Sequence, residues 1–208
     1  MNRIIYLECA SGISGDMTVS ALLDLGVSRE KLENELKKLP LHGYRIVIGR
    51  TQKNGIDACA FFVELDGNVL QPMRDYRQIR ELLLDSDLEE RVKNLSLKIF
   101  TVLAEAEAKV HGTDMEHVHF HEVGAVDSIV DIVSVAVCLD DLDVTEVIVP
   151  VLCEGRGTVR CQHGILPIPV PAVANIVSAN HLHLKMTEVE GELVTPTGAA
   201  IVAAVKTK

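Results

Sequence analysis

The sequence predicts an α/β protein: a mixed sheet with interleaved helices and a small α+β subdomain near the N-terminus. Short apolar runs that read as buried strands, Ile4 to Leu7 and Val144 to Val149, alternate with stretches whose apolar residues recur at helical spacing. A hairpin signal, Asn54-Gly55, joins two alternating runs in the first third of the chain. Of 208 residues, 48% are hydrophobic but only 3% aromatic, with no Trp, so the core is built from Val, Ile, Leu and Ala. One domain covers 1–208, and 67–72 (Gly67 to Pro72) is the one weak point for an internal boundary.

After the first strand, the small residues Ser11-Gly12-Ile13-Ser14-Gly15-Asp16 form a loop. A helix follows with Met17, Ala21, Leu22 and Leu25 on its apolar face, closed by Gly26. Ser28 caps a second helix bearing Leu32, Leu36 and Leu39, which Pro40 ends. Tyr44 to Gly49 and Ile56 to Leu65 are the hairpin strands. Asp75 to Leu84 reads as a helix, and Leu88 to Val110 as a longer one. Val123, Val126, Ile129, Val130, Val133 and Val137 mark another. Gly155, Gly157 and His163-Gly164 punctuate a loop or hairpin. Pro167, Pro169 and Pro171 keep the next piece extended, with Pro171 suited to the first turn of a helix. A strand at Leu182 to Met186 and a final helix from Thr197 complete the chain.

Thirty acidic against 20 basic side chains give a net charge of −10, which repels nucleic acid and anionic membranes while leaving room for a local phosphate pocket. The five cysteines (Cys9, Cys59, Cys138, Cys153, Cys161) are odd in number and form no CxxC pair, which fits a reducing compartment. The N-terminal apolar run is too short for a signal peptide, and no run approaches membrane-spanning length. The expectation is a soluble, cytoplasmic protein.

The chemistry concentrates at His117-Val118-His119-Phe120-His121-Glu122. In an extended segment alternate residues point the same way, so His117, His119 and His121 would converge as a metal requires; His111 lies just upstream. Asp127 and Asp131, four apart, share a face of the following helix, and Cys138 continues that line. Imidazoles suit nickel, zinc, copper or iron, and carboxylates can orient them or add harder ligands. The same residues also fit a solvated loop with Asp127 as a helix cap.

Two further segments have the form of phosphate cradles, with small residues opening a helix whose first amides are free. One is Ser11, Gly12, Ser14, Gly15 and Asp16; it lacks the Lys of a Walker A loop and the spacing of GxGxxG, and its acid would repel an anion unless a metal or hydroxyl engaged it. The other is Thr195, Thr197 and Gly198, which reads about equally as a plain helix cap, whereas in the first a tight turn with Ser14 capping the helix is the commoner reading. Arg156, Arg160 and His163 lie in a Gly-rich segment where arginine can meet a phosphate or carboxylate. Cys9, Cys153 and Cys161 are soft donors or, more commonly, buried structural thiols.

Four separated blocks resemble the LarC family: Glu8 to Met17, Ala104 to Gly112, Val118 to Ile132, and Gly191 to Ala200. Their order and spacing agree across nearly the whole chain. The resemblance implies a CTP-dependent nickel insertase of the lyase class, which places nickel into a pyridinium bis-thiocarboxylate mononucleotide and so completes the nickel-pincer nucleotide of lactate racemase. It implies nickel handling by His117, His119 and His121, catalytic or positioning roles for Asp127, Asp131 and Glu122, and mononucleotide binding by one of the two loops. CTP, with manganese or magnesium, is expected to need a C-terminal portion that family members carry beyond the Thr-Pro-Thr-Gly-Ala-Ala block. That portion is the expected partner, and self-association is left open. A non-enzymatic nickel-delivery module and a metal-dependent hydrolase are the competing readings.

Overall fold

The structure is a computed structural model that describes residues 3–118, 120 and 125–208. His119, His121 and Glu122 lie outside the described residues. The mixed α/β class expected from the sequence is what is found. The order is β1 (Arg3–Tyr6), α1 (Gly15–Asp24), α2 (Arg29–Leu36), β2 (Tyr44–Lys53), β3 (Ile56–Leu65), α3 (Tyr76–Leu84) and α4 (Glu90–His111). Then come α5 (Val126–Asp141), β4 (Val144–Ile148), β5 (Leu152–Arg156), β6 (Thr158–Cys161), β7 (Gly164–Pro167), α6 (Pro171–Ala179), β8 (Leu184–Glu190) and α7 (Pro196–Val205).

Strands β1 and β4 pair in parallel, as do β5 and β8, while β2–β3 and β6–β7 are antiparallel hairpins. The β2–β3 turn is Asn54-Gly55, both with positive φ (51° and 79°), as a two-residue hairpin turn demands. Two isolated parallel bridges matter most for the site. Cys9 pairs with Leu152, and Ile13 with Val194. Each partner of the second bridge sits one residue before a helix cap, Ser14 for α1 and Thr195 for α7. The register of that bridge therefore brings the N-termini of α1 and α7 side by side.

Helix α5 is the centre of the core. Ten of its residues, Val126, Ile129, Val130 and the run Ile132 to Cys138, are buried, which marks a helix covered on nearly every side. Each fully buried Val or Ile there contributes about 1.5–3 kcal/mol. Helices α1, α2 and α4 pack against it. Helix α4 ends at Gly112 in the left-handed conformation (φ 62°), and Asp75 caps α3 with Gln78 in a reciprocal capping box. Among the described residues no helix is long and apolar enough to cross a membrane.

Three local expectations are corrected. The buried face of α1 is Gly15, Thr18, Val19 and Leu22, while Met17 and Leu25 are exposed. Small residues face inward because α5 lies close against this helix. The stretch around Gly155 is a buried strand, β5, and the hairpin is confined to β6–β7. The later strand runs from Leu184 to Glu190, shifted toward the C-terminus by its pairing with β5.

Candidate functional site

The loop after β1 is held by backbone contacts that only glycine permits. Gly12 has φ 83°, and a Cβ there would overlap the Leu193 carbonyl. A Cβ on Gly198 would likewise overlap the Ile13 carbonyl. Between them the Ile13 N–H donates to Leu193 O (2.9 Å) and the Thr195 N–H to Ile13 O (3.1 Å). The two segments expected separately as phosphate cradles are thus one double loop. Thr195 Oγ1 accepts from the Gly198 N–H (3.1 Å) and Ser14 Oγ from the Met17 N–H (3.4 Å), so each helix has its own hydroxyl cap. Thr197 is buried in the first turn of α7, and Ser11 is exposed.

The second turn of α5 closes on this loop. A Cβ added to Gly15 would lie 2.6 Å from Asp131 Oδ2, so α1 begins against the second turn of α5. The Asp131 carboxyl lies near the Asp16 backbone N–H and the carboxylates of Asp16 and Asp127. Burial first, then Asp16, then Asp127 push its pKa up to about 8, against the opposing effect of that N–H. Asp127 is exposed in the first turn of α5, where its Oδ1 accepts the Ser128 N–H (2.9 Å). Ala125, not Asp127, occupies the cap position. Asp16 accepts the Ser14 hydroxyl, so a hydroxyl does engage the acid of this loop. The expected sharing of a face by Asp127 and Asp131 is found, and Asp16 joins them from α1.

The result is a three-carboxylate cluster with one member able to hold or release a proton near neutral pH. Such a group can act in proton transfer.

The histidine segment is described only in part. His117 sits in a 3-10 turn, Met115–His117, where its Nδ1 lies 2.7 Å from Asp114 Oδ1; both side chains are mostly exposed. Val118 and Phe120 are fully buried, with Phe120 tilted against Phe100 at 6.3 Å between ring centroids. Tyr76 N–H further ties the Val118 carbonyl to the start of α3 (3.3 Å). The alternate residues of this segment therefore anchor it in the core.

Glu154 is a residue that sequence reasoning missed. It is fully buried in β5, and its Oε1 accepts N–H groups from Gly155 (2.8 Å), Leu193 (2.8 Å) and Val194 (3.2 Å). Its Oε2 has no hydrogen-bond partner among the described residues. This carboxylate fixes the loop that leads into α7. An acid inside the apolar run Val149 to Cys153-Glu154 was the available signal.

The thiols are quiet. Burial lifts Cys138 to about 12, and burial with nearby Glu8 and Cys153 lifts Cys9 to about 11, so neither is a thiolate near neutrality. All five cysteines are free.

On the far side of the α7 entrance, a cavity of about 420 Å³ opens between the end of α4, the β6–β7 hairpin and the start of α6. Glu107, His111, Arg160, Cys161, His163 and Glu192 contribute its polar lining. Among the described residues, no three His, Cys, Asp or Glu side chains are gathered tightly enough to enclose a metal ion.

No solved structure matches this chain. Among curated proteins it is similar to the pyridinium-3,5-bisthiocarboxylic acid mononucleotide nickel insertion protein of Alkaliphilus metalliredigens (strain QYMF), with 56% identity covering 100% of this chain and 53% of the relative. The protein of the same name from Geobacillus kaustophilus (strain HTA426) is 46% identical over 96% of this chain and 50% of its own length. The chain spans about half the length of the curated relatives it matches. A family model described as nickel insertion protein matches residues 5–208, and the chain belongs to that nickel insertion protein family.

Proposed function

We propose that this chain is the nickel-handling part of an enzyme that inserts nickel into pyridinium-3,5-bisthiocarboxylic acid mononucleotide, forming a nickel-pincer nucleotide. The observation that carries the reading is 56% identity, over the whole chain, to a protein bearing that name. In this reading His117, His119 and His121 bind or relay the ion. Ser11 to Asp16 or Thr195 to Gly198 hold the nucleotide phosphate, supported by the pairing of the α1 and α7 N-termini. Consumption of CTP with manganese or magnesium, and the lyase character of the whole reaction, belong to the full length of the relatives. We place the protein in the cytoplasm, in keeping with its free thiols.

Forming a nickel–carbon bond at a ring carbon releases that carbon's proton. Asp131, whose pKa is raised to about 8, holds a proton at neutral pH and can receive the ring carbon's only after giving up its own; once ionised it is a stronger base than an ordinary carboxylate, and in this reading it exchanges that proton. Asp16 and Asp127 lie near enough to favour its protonated form. Glu122 would orient an imidazole of the segment it follows.

The test is reconstitution. The chain is combined with the remaining half of a relative, CTP, Ni²⁺ and the mononucleotide, and product is read by activation of apo lactate racemase. Replacing His117, His119 and His121 together by Ala is expected to abolish product. Undiminished product from that variant would remove the histidines from the mechanism.

A further inference from the structure

We propose that the groove between α1 and the β2–β3 hairpin seats the pyridinium ring of the mononucleotide, with Phe62 as its stacking partner and Lys53 as the partner of an acid group on the ring. The proposal rests on the insertase reading above and gives the ring a place that reading leaves unassigned.

Helix α1 is tied along β3 by polar contacts. The Phe61 N–H donates to Ser20 Oγ (2.9 Å) and the Cys59 N–H to Asp24 Oδ2 (2.8 Å). Arg50 reaches Asp24 from β2 and also pairs with Asp57. A groove of about 640 Å³ lies at this seam, lined by α1 from Asp16 to Asp24. That volume falls within the roughly 300–1,000 Å³ of small-ligand pockets.

The walls suit a flat ring. Ala21, Ala58 and Ala60 offer nothing larger than a methyl group. Met17 and Phe62, each 45% exposed, leave large apolar side chains in solvent at the same groove, area that a bound ring would cover. The charges suit a pyridinium that carries acid groups. The ring cation is attracted to the face of Phe62 and to the carboxylate of Asp16. Arg50 is committed to Asp24 and Asp57, so Lys53, exposed at the end of β2, is the groove's cation for a carboxylate or thiocarboxylate. Asp16 belongs both to the groove and to the carboxylate cluster around Asp131. A ring held by Phe62 and Lys53 is therefore presented to that cluster, and its phosphate is left to the helix starts joined by the Ile13–Val194 bridge.

The test uses two pyridinium mononucleotides, nicotinic acid mononucleotide and nicotinamide mononucleotide, which differ only in a carboxylate or an amide on the ring. Binding to the metal-free chain is read by calorimetry, without nickel or CTP. The wild type is expected to bind both saturably, the carboxylate probe more tightly. Phe62→Ala is expected to weaken both at least about fivefold, the scale of one stacked ring, and Phe62→Tyr to restore them. Lys53→Gln should weaken the carboxylate probe about threefold, as for an exposed ion pair, and leave the amide probe unchanged. Unchanged melting curves in Phe62→Tyr and Lys53→Gln separate binding from folding. No saturable binding of either probe, or wild-type affinity in Phe62→Ala, overturns the groove; equal weakening of both probes in Lys53→Gln overturns the carboxylate contact. Because no reading involves nickel, a reconstitution without product would refute the insertase reading and leave the groove standing. Product formed at unchanged KM by Phe62→Ala would refute the groove alone.

Discussion

Asp131 supplies the sharpest test of the carboxylate cluster. Its pKa of about 8 in the folded chain, against 3.8 ordinarily, makes it a stability liability that depends on pH. Below pH 4 both folded and unfolded chains carry the proton and the group contributes nothing. Between pH 4 and 8 the unfolded chain loses the proton and the folded chain keeps it, so stability falls as pH rises, by about 1.4 kcal/mol per unit. Above pH 8 the full penalty, roughly 6 kcal/mol, is in place. Asp131→Asn removes the ionisation at nearly unchanged size and shape. The variant should therefore be more stable than the wild type by roughly 4 kcal/mol at pH 7, with a gap that widens from pH 5 to 8 and then levels. The measurement is urea denaturation of both proteins at unit pH intervals in EDTA, taking the difference so that other titrating groups cancel. A difference that does not change with pH would refute the argument that Asp131 is forced to hold a proton between α1 and α5.

Other outcomes follow from the same contacts. Gly198→Ala drives a Cβ into the Ile13 carbonyl, where no flexible side chain can yield, and should cost at least about 3 kcal/mol in urea unfolding. Glu154→Ala strands the N–H groups of Gly155, Leu193 and Val194 and should cost on the order of 3 kcal/mol or more, whereas Glu154→Gln, whose carbonyl oxygen can still accept them, should cost less than half as much by the same assay. In native protein at pH 7.5, a disulfide reagent should label the part-exposed Cys161 quickly and leave Cys9 and Cys138 unmodified until unfolding, since burial keeps both protonated; fast labelling of Cys138 would contradict its place in the core.

What was legible in the sequence was what local physics determines. Asn54-Gly55 admits a tight hairpin, Asp75 with Gln78 opens α3, and the spacing from Val92 to Leu103 declares α4. Each helix-opening loop was visible alone. Their union was not, because it depends on the register of Ile13 against Val194, residues that nothing local relates. The face of α1 was misjudged for the same reason: Gly15 and Thr18 are inward only because Asp131 and the rest of α5 arrive there. The acid at the end of an apolar run marks Glu154 as unusual, but its role lies in amides that come from the distant segment 193–194, which nothing local reveals. The His111–His163 pair likewise becomes visible only when the hairpin folds back onto the end of α4.

The geometry also discriminates between the two halves of the double loop. Asp16 lies in the first turn of α1 and Asp127 in the first turn of α5, so the positive ends of both helices already face carboxylates. An incoming phosphate at α1 would have to meet Asp16, Asp127 and, once ionised, Asp131. Helix α7 has no acid in its first turn and begins with Thr195, Pro196, Thr197 and Gly198. If the loop receives a mononucleotide, its phosphate belongs on the α7 side, away from the carboxylates of α1 and α5. Phosphate protection of the metal-free chain should accordingly be lost in Thr195→Ala and Thr197→Ala and kept in Ser14→Ala, and the opposite pattern would reverse the assignment.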